Sequence, residues 1–235
     1  MHLRTAAATL IAAMGLAVAP LRPASAEPAA SPTRLLIHNG EEATISLRSN
    51  PTTGYQWSVK AMKPQHGFTI DKGAYVRPTS AAPGASGWTV YHVKQGETGL
   101  TTLVFTYARA FEKGKPPART FTVVVRSEPS TSAARSTSQV FYCQPGDEFS
   151  IPLASPDAAW TWKLMERSYD GGVLQSLGRT VVPAPAPKPK QKPQPATTIQ
   201  RFRAVGVGDT KAILTYEKEG VEHAAVNTTA VRVEK

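Results

Sequence analysis

The segment Gly40-Glu41-Glu42-Ala43-Thr44-Ile45-Ser46-Leu47 returns 106 positions later as Gly146-Asp147-Glu148-Phe149-Ser150-Ile151-Pro152-Leu153. Each copy runs on through a turn into a tryptophan, Trp57 and Trp162, 105 positions apart. Farther along, Leu103-Val104-Phe105-Thr106-Tyr107 is echoed by Ala212-Ile213-Leu214-Thr215-Tyr216, 109 positions apart. A chain that repeats itself at a nearly fixed period repeats one structural unit, and the small drift assigns the differences to loops. The 235 residues leave room for two such units of about 100 residues each.

Apolar periodicity says what the unit is made of. In the first copy Ala43, Ile45 and Leu47 alternate with Thr44, Ser46 and Arg48. Tyr55, Trp57 and Val59 alternate in the same way, as do Leu103, Phe105 and Tyr107, and Phe121, Val123 and Val125. A period of two turns alternate side chains to one face, the pattern of a half-buried strand. Twenty prolines and 17 glycines punctuate these runs, and no segment sustains a helical period. The expected fold is all-β: two tandem sandwiches, each sheet with one inner and one solvent face. A small, polar run from Ser130 to Ser138 reads as a linker, which places the units at residues 27–128 and 139–235 with residues 129–138 between them. Pro183 to Pro195 holds six prolines and three lysines in 13 residues, a composition that cannot pack. Lying inside the second copy, it is expected to be an extended, solvated loop insertion.

Residues 1–26 stand apart from this pattern. Met1-His2-Leu3-Arg4 is a positive start, an apolar run spans Ala6 to Ala19, and Ala24-Ser25-Ala26 is a small-x-small cleavage site before Glu27. These are the parts of a secretory signal, so a periplasmic or secreted protein cleaved after Ala26 is expected. No other apolar run approaches the length of a membrane span, and none is expected in the mature chain. Removing the signal lowers the formal charge from +10 to +8. In an exported chain this excess reads as a solubility or envelope property, with steering of an acidic partner as the alternative, and no nucleic-acid partner is expected. The single cysteine excludes an internal disulfide framework and a Cys-cluster metal site, and no cofactor is expected.

Asn50-Pro51-Thr52-Thr53-Gly54-Tyr55-Gln56-Trp57 is the segment most suited to function. Pro51 fixes its own φ and pushes Asn50 towards an extended backbone, while Gly54 permits a positive φ on the far side. Two uncharged hydroxyl residues lie between them, and Tyr55 and Trp57 anchor the stem. Turn chemistry alone allows an ordinary β-turn with core aromatics. It equally allows a stiff, neutral wedge that would enter a narrow cleft with little loss of loop entropy.

This run resembles the NPTTG[YF]xW signature of the chagasin-type inhibitors of papain-like cysteine peptidases. The resemblance covers roughly Arg34 to Arg126, with a weaker echo from about Gln139 onward. It implies an immunoglobulin-like β-sandwich whose three loops at one end form the inhibitory surface. The family's glycine-rich loop before the fifth strand is similar to Pro83-Gly84-Ala85-Ser86-Gly87-Trp88. Its Arg-Pro-aromatic motif is matched by Arg109-Ala110-Phe111, with alanine in place of proline. Each of these two loops has a plain alternative, a surface turn in one case and a solvated strand end with a hairpin plug in the other; all three in order favour the family. The peptidase-binding residues implied are Asn50, Pro51, Thr52, Thr53, Gly54, Tyr55, Gly84, Ala85, Ser86, Gly87, Arg109 and Phe111. The implied mechanism is reversible, non-covalent plugging of the peptidase cleft by Thr52-Thr53-Gly54, gripped on either side by the other two loops.

The second copy departs from the signature, with Ser155-Pro156-Asp157-Ala158-Ala159-Trp160-Thr161-Trp162 at the wedge position and Glu217-Lys218-Glu219-Gly220 at the last loop. It is expected to be a degenerate sandwich without inhibitory loops, serving as a spacer, a second contact on the peptidase or an envelope attachment. An enzyme is not expected. His38, His66, His92 and His223 fall in no catalytic motif, and Cys143 lies in the strand-like run Val140-Phe141-Tyr142-Cys143. The alternative function is an envelope adhesion or ligand-binding module without inhibitory activity.

Overall fold

Alternating apolar and hydroxyl side chains produce strands throughout both halves of the chain. The computed structural model describes residues 31–62, 67–77, 84–130, 135–186, 194–219 and 221–235. The expected signal, residues 131–134 of the expected linker and residues 187–193 of the proline-rich segment lie outside the described residues. The first half holds β1 (Thr33–His38), β2 (Glu42–Ser49), β3 (Tyr55–Met62), β4 (Phe68–Val76), β5 (Gly87–Gln95), β6 (Gly99–Arg109) and β7 (Arg119–Glu128). The second holds β8 (Arg135–Cys143), β9 (Glu148–Ser155), β10 (Thr161–Leu164), β11 (Leu174–Val182), β12 (Ala196–Ala204), β13 (Gly208–Lys218) and β14 (Val221–Val233). The one helical element among the described residues is a single 3-10 turn, Pro51–Thr53.

The repeat in sequence is a repeat in strand pairing. The first half forms a sheet of order β1-β7-β6-β3 and contributes the run β2-β5-β4. Adding seven to each label gives β8-β14-β13-β10 and β9-β12-β11, the arrangement of the second half. In both, the first strand pairs in parallel with the last, β1 with β7 and β8 with β14.

The halves are not separated as the expected linker suggested. Residues 135–138 of that segment belong to β8, and β8 pairs in parallel with β2 from Thr44↔Gln139 to Leu47↔Tyr142. One seven-stranded sheet, β10-β13-β14-β8-β2-β5-β4, therefore runs through both halves, and residues 32–235 make one compact unit. The cores exchange side chains across this seam. Val140 and Tyr142 of the second half are buried with Leu47, Trp57, Phe105 and Phe121 of the first. Trp88 of the first half is buried with Phe149, Phe202 and Leu214 of the second. Tyr142 stands 4.7 Å from the Phe121 ring and meets Trp57 edge-on at 5.6 Å; Trp88 meets Phe141 edge-on at 5.4 Å. Such aromatic pairs add about 0.5–1.5 kcal/mol each beyond the area they bury. The seam also explains why Ser46, on the nominally polar face of β2, is buried.

Parallel pairing fixes the direction of each half. The chain turns back at Gln144–Asp147, where Asp147 N donates to Gln144 O at 3.1 Å, so β9 runs opposite to β8 and β2. Arg48, near the end of β2, meets Asp147 just before β9, whereas the start of β2 shares a groove with Pro156, Trp162 and Tyr216. The loops that follow β2 and β9 thus project from opposite ends of the molecule. Strand addition stops at β9, whose Pro152 stands where β2 has Ser46. Proline has no N–H to donate, and it is tolerated at a sheet edge for that reason.

Because each core holds aromatic groups of the other half, urea should unfold the chain in one transition. Trp88→Ala should lower its free energy by about 3–5 kcal/mol. Two separated transitions, only one of them moved by the substitution, would mean that the halves fold independently.

Candidate functional site

The turn after β2 is held by its own side chains. Asn50 is extended, with φ −130° and ψ 94°, as a residue before proline must be. Its Oδ1 accepts from Thr52 N at 3.2 Å and from Thr52 Oγ1 at 2.6 Å. Thr53 N and Oγ1 donate to Asn50 O at 3.2 and 2.7 Å, and Gly54 N donates to Pro51 O at 3.2 Å. Gly54 closes the turn at φ 76°, and a Cβ there would sit 3.4 Å from the Phe111 ring. With its polar groups occupied locally, the tip is rigid. Pro51, Thr52, Thr53 and Gly54 are all exposed, and none carries a charge.

Three loops meet at this turn. Asn50 Nδ2 donates to Gly84 O at 2.8 Å, tying the turn to the segment before β5. Arg109 Nε donates to Thr53 O at 3.1 Å, tying it to the end of β6. The stem is fixed from below: Asn50 N donates to Tyr107 Oη at 3.1 Å, and Trp57 Nε1 donates to Arg48 O at 2.9 Å. The β3–β6 register, which places Tyr55 opposite Arg109, brings Arg109 over the Tyr55 ring at 4.4 Å.

All twelve residues singled out from the sequence lie in or beside this cluster, though not all as expected. Trp57 is 2% exposed and anchors the stem, but Tyr55 is only half-buried; it stacks on Tyr107 at 5.2 Å and carries Arg109. Gly84 is an exposed turn glycine at φ 77° with open space around it. Gly87 is buried, and a Cβ on it would overlap Val76 O and lie 2.6 Å from Tyr75 Oη, so close strand packing demands glycine there. Ala85 and Ser86, half-buried, join the two. Phe111 is 73% exposed and displays its ring beside Gly54.

Glu112 is a member of the cluster that none of the three motifs contains. Arg109 Nη1 pairs with Glu112 Oε1 at 3.0 Å, and Lys115 Nζ stands 3.5 Å from Glu112 Oε2. The hydrogen bond from Arg109 holds the Glu112 carboxyl below its ordinary range and raises the guanidinium correspondingly. Opposite charges three positions apart were the sequence signal for this brace. It restrains a loop in which alanine replaces the family's proline. Chemically the cluster offers a neutral ridge, an exposed aromatic ring and fixed backbone carbonyls, with no nucleophile. Cys143 is fully buried, and burial pushes its thiol well above the ordinary range, which leaves it inert. Among the described residues no group of three His, Cys, Asp or Glu stands close enough to hold a metal ion. No helix among them is long and apolar enough to cross a membrane.

The second half keeps the stem and changes the tip. Trp162 Nε1 donates to Ala154 O at 2.9 Å, Asp157 N donates to Tyr216 Oη at 3.1 Å, and Trp160 stacks on Tyr216 at 5.7 Å. Each repeats a contact of the first turn, but an acid replaces Asn50 and the Thr-Thr-Gly tip is missing. Since this loop faces the opposite end of the molecule, it cannot join the first turn on one cleft.

The chain is similar to known peptidase inhibitors. The profile of the chagasin family peptidase inhibitor I42 matches residues 37–125. Amoebiasin-2 of Entamoeba histolytica is 34% identical over 90 residues, covering 35% of this chain and 68% of that protein. Chagasin of Trypanosoma cruzi is 31% identical over 97 residues, covering 40% of this chain and 87% of that protein. Among solved structures, a cysteine protease inhibitor from Entamoeba histolytica is 28% identical with a TM-score of 0.35, covering 41% of this chain and 86% of that one.

Two outcomes test the geometry. Gly54→Ala should cost about 1–2 kcal/mol in urea denaturation, because alanine resists a positive φ; an unchanged midpoint would deny the strain. A carboxyl whose value is depressed by folding stabilises above its ordinary value, near 4.5 for Glu112, and loses that contribution as the pH falls through the lowered one. An NMR titration of the Glu112 side chain should therefore give a midpoint below 4.5, and a midpoint at or above it would mean that the Arg109 pair does not form in solution.

Proposed function

The chain belongs to the chagasin family of peptidase inhibitors, and from that premise we propose that it is an exported, reversible, non-covalent inhibitor of papain-like cysteine peptidases. It belongs with inhibitors and not with enzymes. One observation carries the assignment of the surface: a single residue, Asn50, ties the turn to the Gly84 segment while Arg109 ties it to the β6 end, so the three loops face one partner together. On this reading residues 27–128 are the inhibitory immunoglobulin-like sandwich and residues 139–235 a degenerate second one. The repeated strand order supports the division. The positive start, apolar run and Ala24-Ser25-Ala26 of the N-terminus support export to the periplasm or the medium.

The mechanism follows from rigidity and neutrality. The Thr52-Thr53-Gly54 tip enters the peptidase cleft near the catalytic cysteine and histidine. Its threonine hydroxyls and backbone are already bonded within the turn, so little freedom is lost on docking. Carrying no charge, the tip leaves no ion stranded in the cleft. Phe111 supplies apolar area on one side, worth about 1.5–3 kcal/mol if fully buried. Arg109 acts mainly by holding the Thr53 carbonyl and the Phe111 loop in place. The segment Gly84 to Gly87 closes the other side. Protease–inhibitor contacts bury about 1,600 Å² in total, and one end of a sandwich can provide half of that. The tip escapes cleavage because no peptide bond need be offered in substrate geometry.

Titration of papain with the mature chain should give stoichiometric, reversible inhibition. Thr53→Asp, at an exposed position that leaves the core untouched, should weaken it by about 3 kcal/mol, roughly a hundredfold, through a charge buried without a partner. Equal inhibition by both proteins would remove the wedge from the mechanism. Absence of inhibition together with retention on cell-wall polysaccharide would replace this function with adhesion.

A further inference from the structure

We propose that the second half of the chain is part of the inhibitory apparatus, with Asp147 and Tyr142 acting as positioning residues for the wedge at Asn50–Tyr55. This rests on the reading of that wedge as the peptidase-binding element.

The two stems of the wedge are each held by the second half. On the incoming side, Arg48 Nε contacts the Asp147 carboxylate at 2.7 and 2.9 Å. The pair is largely shielded, with side-chain exposures of 27% and 17%. Asp147 is itself set in place: its Oδ2 accepts from Gln144 N at 2.8 Å and its backbone oxygen accepts from Ala204 N at 2.9 Å. On the outgoing side, Tyr142 packs edge-on against Trp57, whose indole nitrogen donates to Arg48 O. Trp57 in turn packs 4.9 Å from Tyr107, the residue whose hydroxyl accepts from Asn50 N. An unbroken path of contacts leads from the second half to the residue that gathers the three loops.

The internal repeat supplies an independent comparison. At the position of Arg48 the second copy has Ala154, whose carbonyl accepts from Trp162 Nε1. The arginine on that stem is Arg179 of the same half, which donates to Trp162 O, whereas Arg48 reaches an acid of the other half. At the position of Tyr142 the first copy has Leu36, which is 44% exposed. Tyr142 is almost fully buried, and its hydroxyl donates to Glu234 Oε2 at 2.8 Å. Both contacts therefore belong to the seam and not to the sandwich as such.

The experiment uses the mature full-length chain and its variants Arg48→Leu, Asp147→Asn, the double variant, Tyr142→Leu and Tyr142→Phe. Dissociation rate and inhibition constant for papain are measured far below each unfolding midpoint, where every protein is folded. Arg48→Leu, Asp147→Asn and Tyr142→Leu should each dissociate about tenfold faster with association unchanged. The double variant should be no worse than either single one, and Tyr142→Phe, which keeps the ring, should restore tight binding. If the inhibition constants stay at the wild-type value while the midpoints fall, the second half is only a stabiliser and the proposal is overturned. Should Tyr142→Leu not fold, the Arg48 and Asp147 variants decide the matter by the same measurement. Failure of the wild-type chain to inhibit would instead remove the function on which the inference rests.

Discussion

The side chain of Asn50 is the constraint on which the surface depends. Its oxygen takes the Thr52 amide and hydroxyl, its nitrogen reaches the Gly84 carbonyl, and its backbone amide meets Tyr107. A residue with both an acceptor and a donor, on a backbone already extended by the following proline, can join a turn to a neighbouring loop. Aspartate, found at the matching place in the second half, keeps the local turn through its bond from Ala159 N but has no donor for a second loop.

Rigidity at that surface comes from beneath it. The wedge stands on Trp57 and Tyr107, and these stand on a core completed by Tyr142 and Val140 from the other half. Strand pairing between β2 and β8 makes this possible, since it extends the sheet and covers what would otherwise be a free edge. The same pairing sends the two sets of loops to opposite ends. The turn after β9 therefore does not stand beside the Asn50 turn.

Much of this was legible in the residues. Period-two alternation gave the strands, Pro51 and Gly54 gave the turn, and the 106-position echo gave a strand order that recurs. The seam was not legible, because pairing between β2 and β8 joins residues about 95 positions apart and leaves no local signature. Its traces were present but ambiguous: Tyr142 in an apolar run, and an arginine at position 48 where strand alternation asks only for a polar residue. The division of labour between Arg109 and Phe111 was hidden for a similar reason. Both types suit an interface, and only the bonds to Thr53 and Glu112 show that the arginine faces inward while the ring faces out.

The central claim is that one end of the first half, and no other part of the molecule, seats a papain-like peptidase. Hydrogen–deuterium exchange of the chain alone and with papain tests it directly. Protection on binding should fall on the amides of residues 52–55, 84–87 and 109–112 and leave residues 155–160 unchanged. Protection at the opposite end, or none at the Asn50 turn in a complex that forms, would contradict the account.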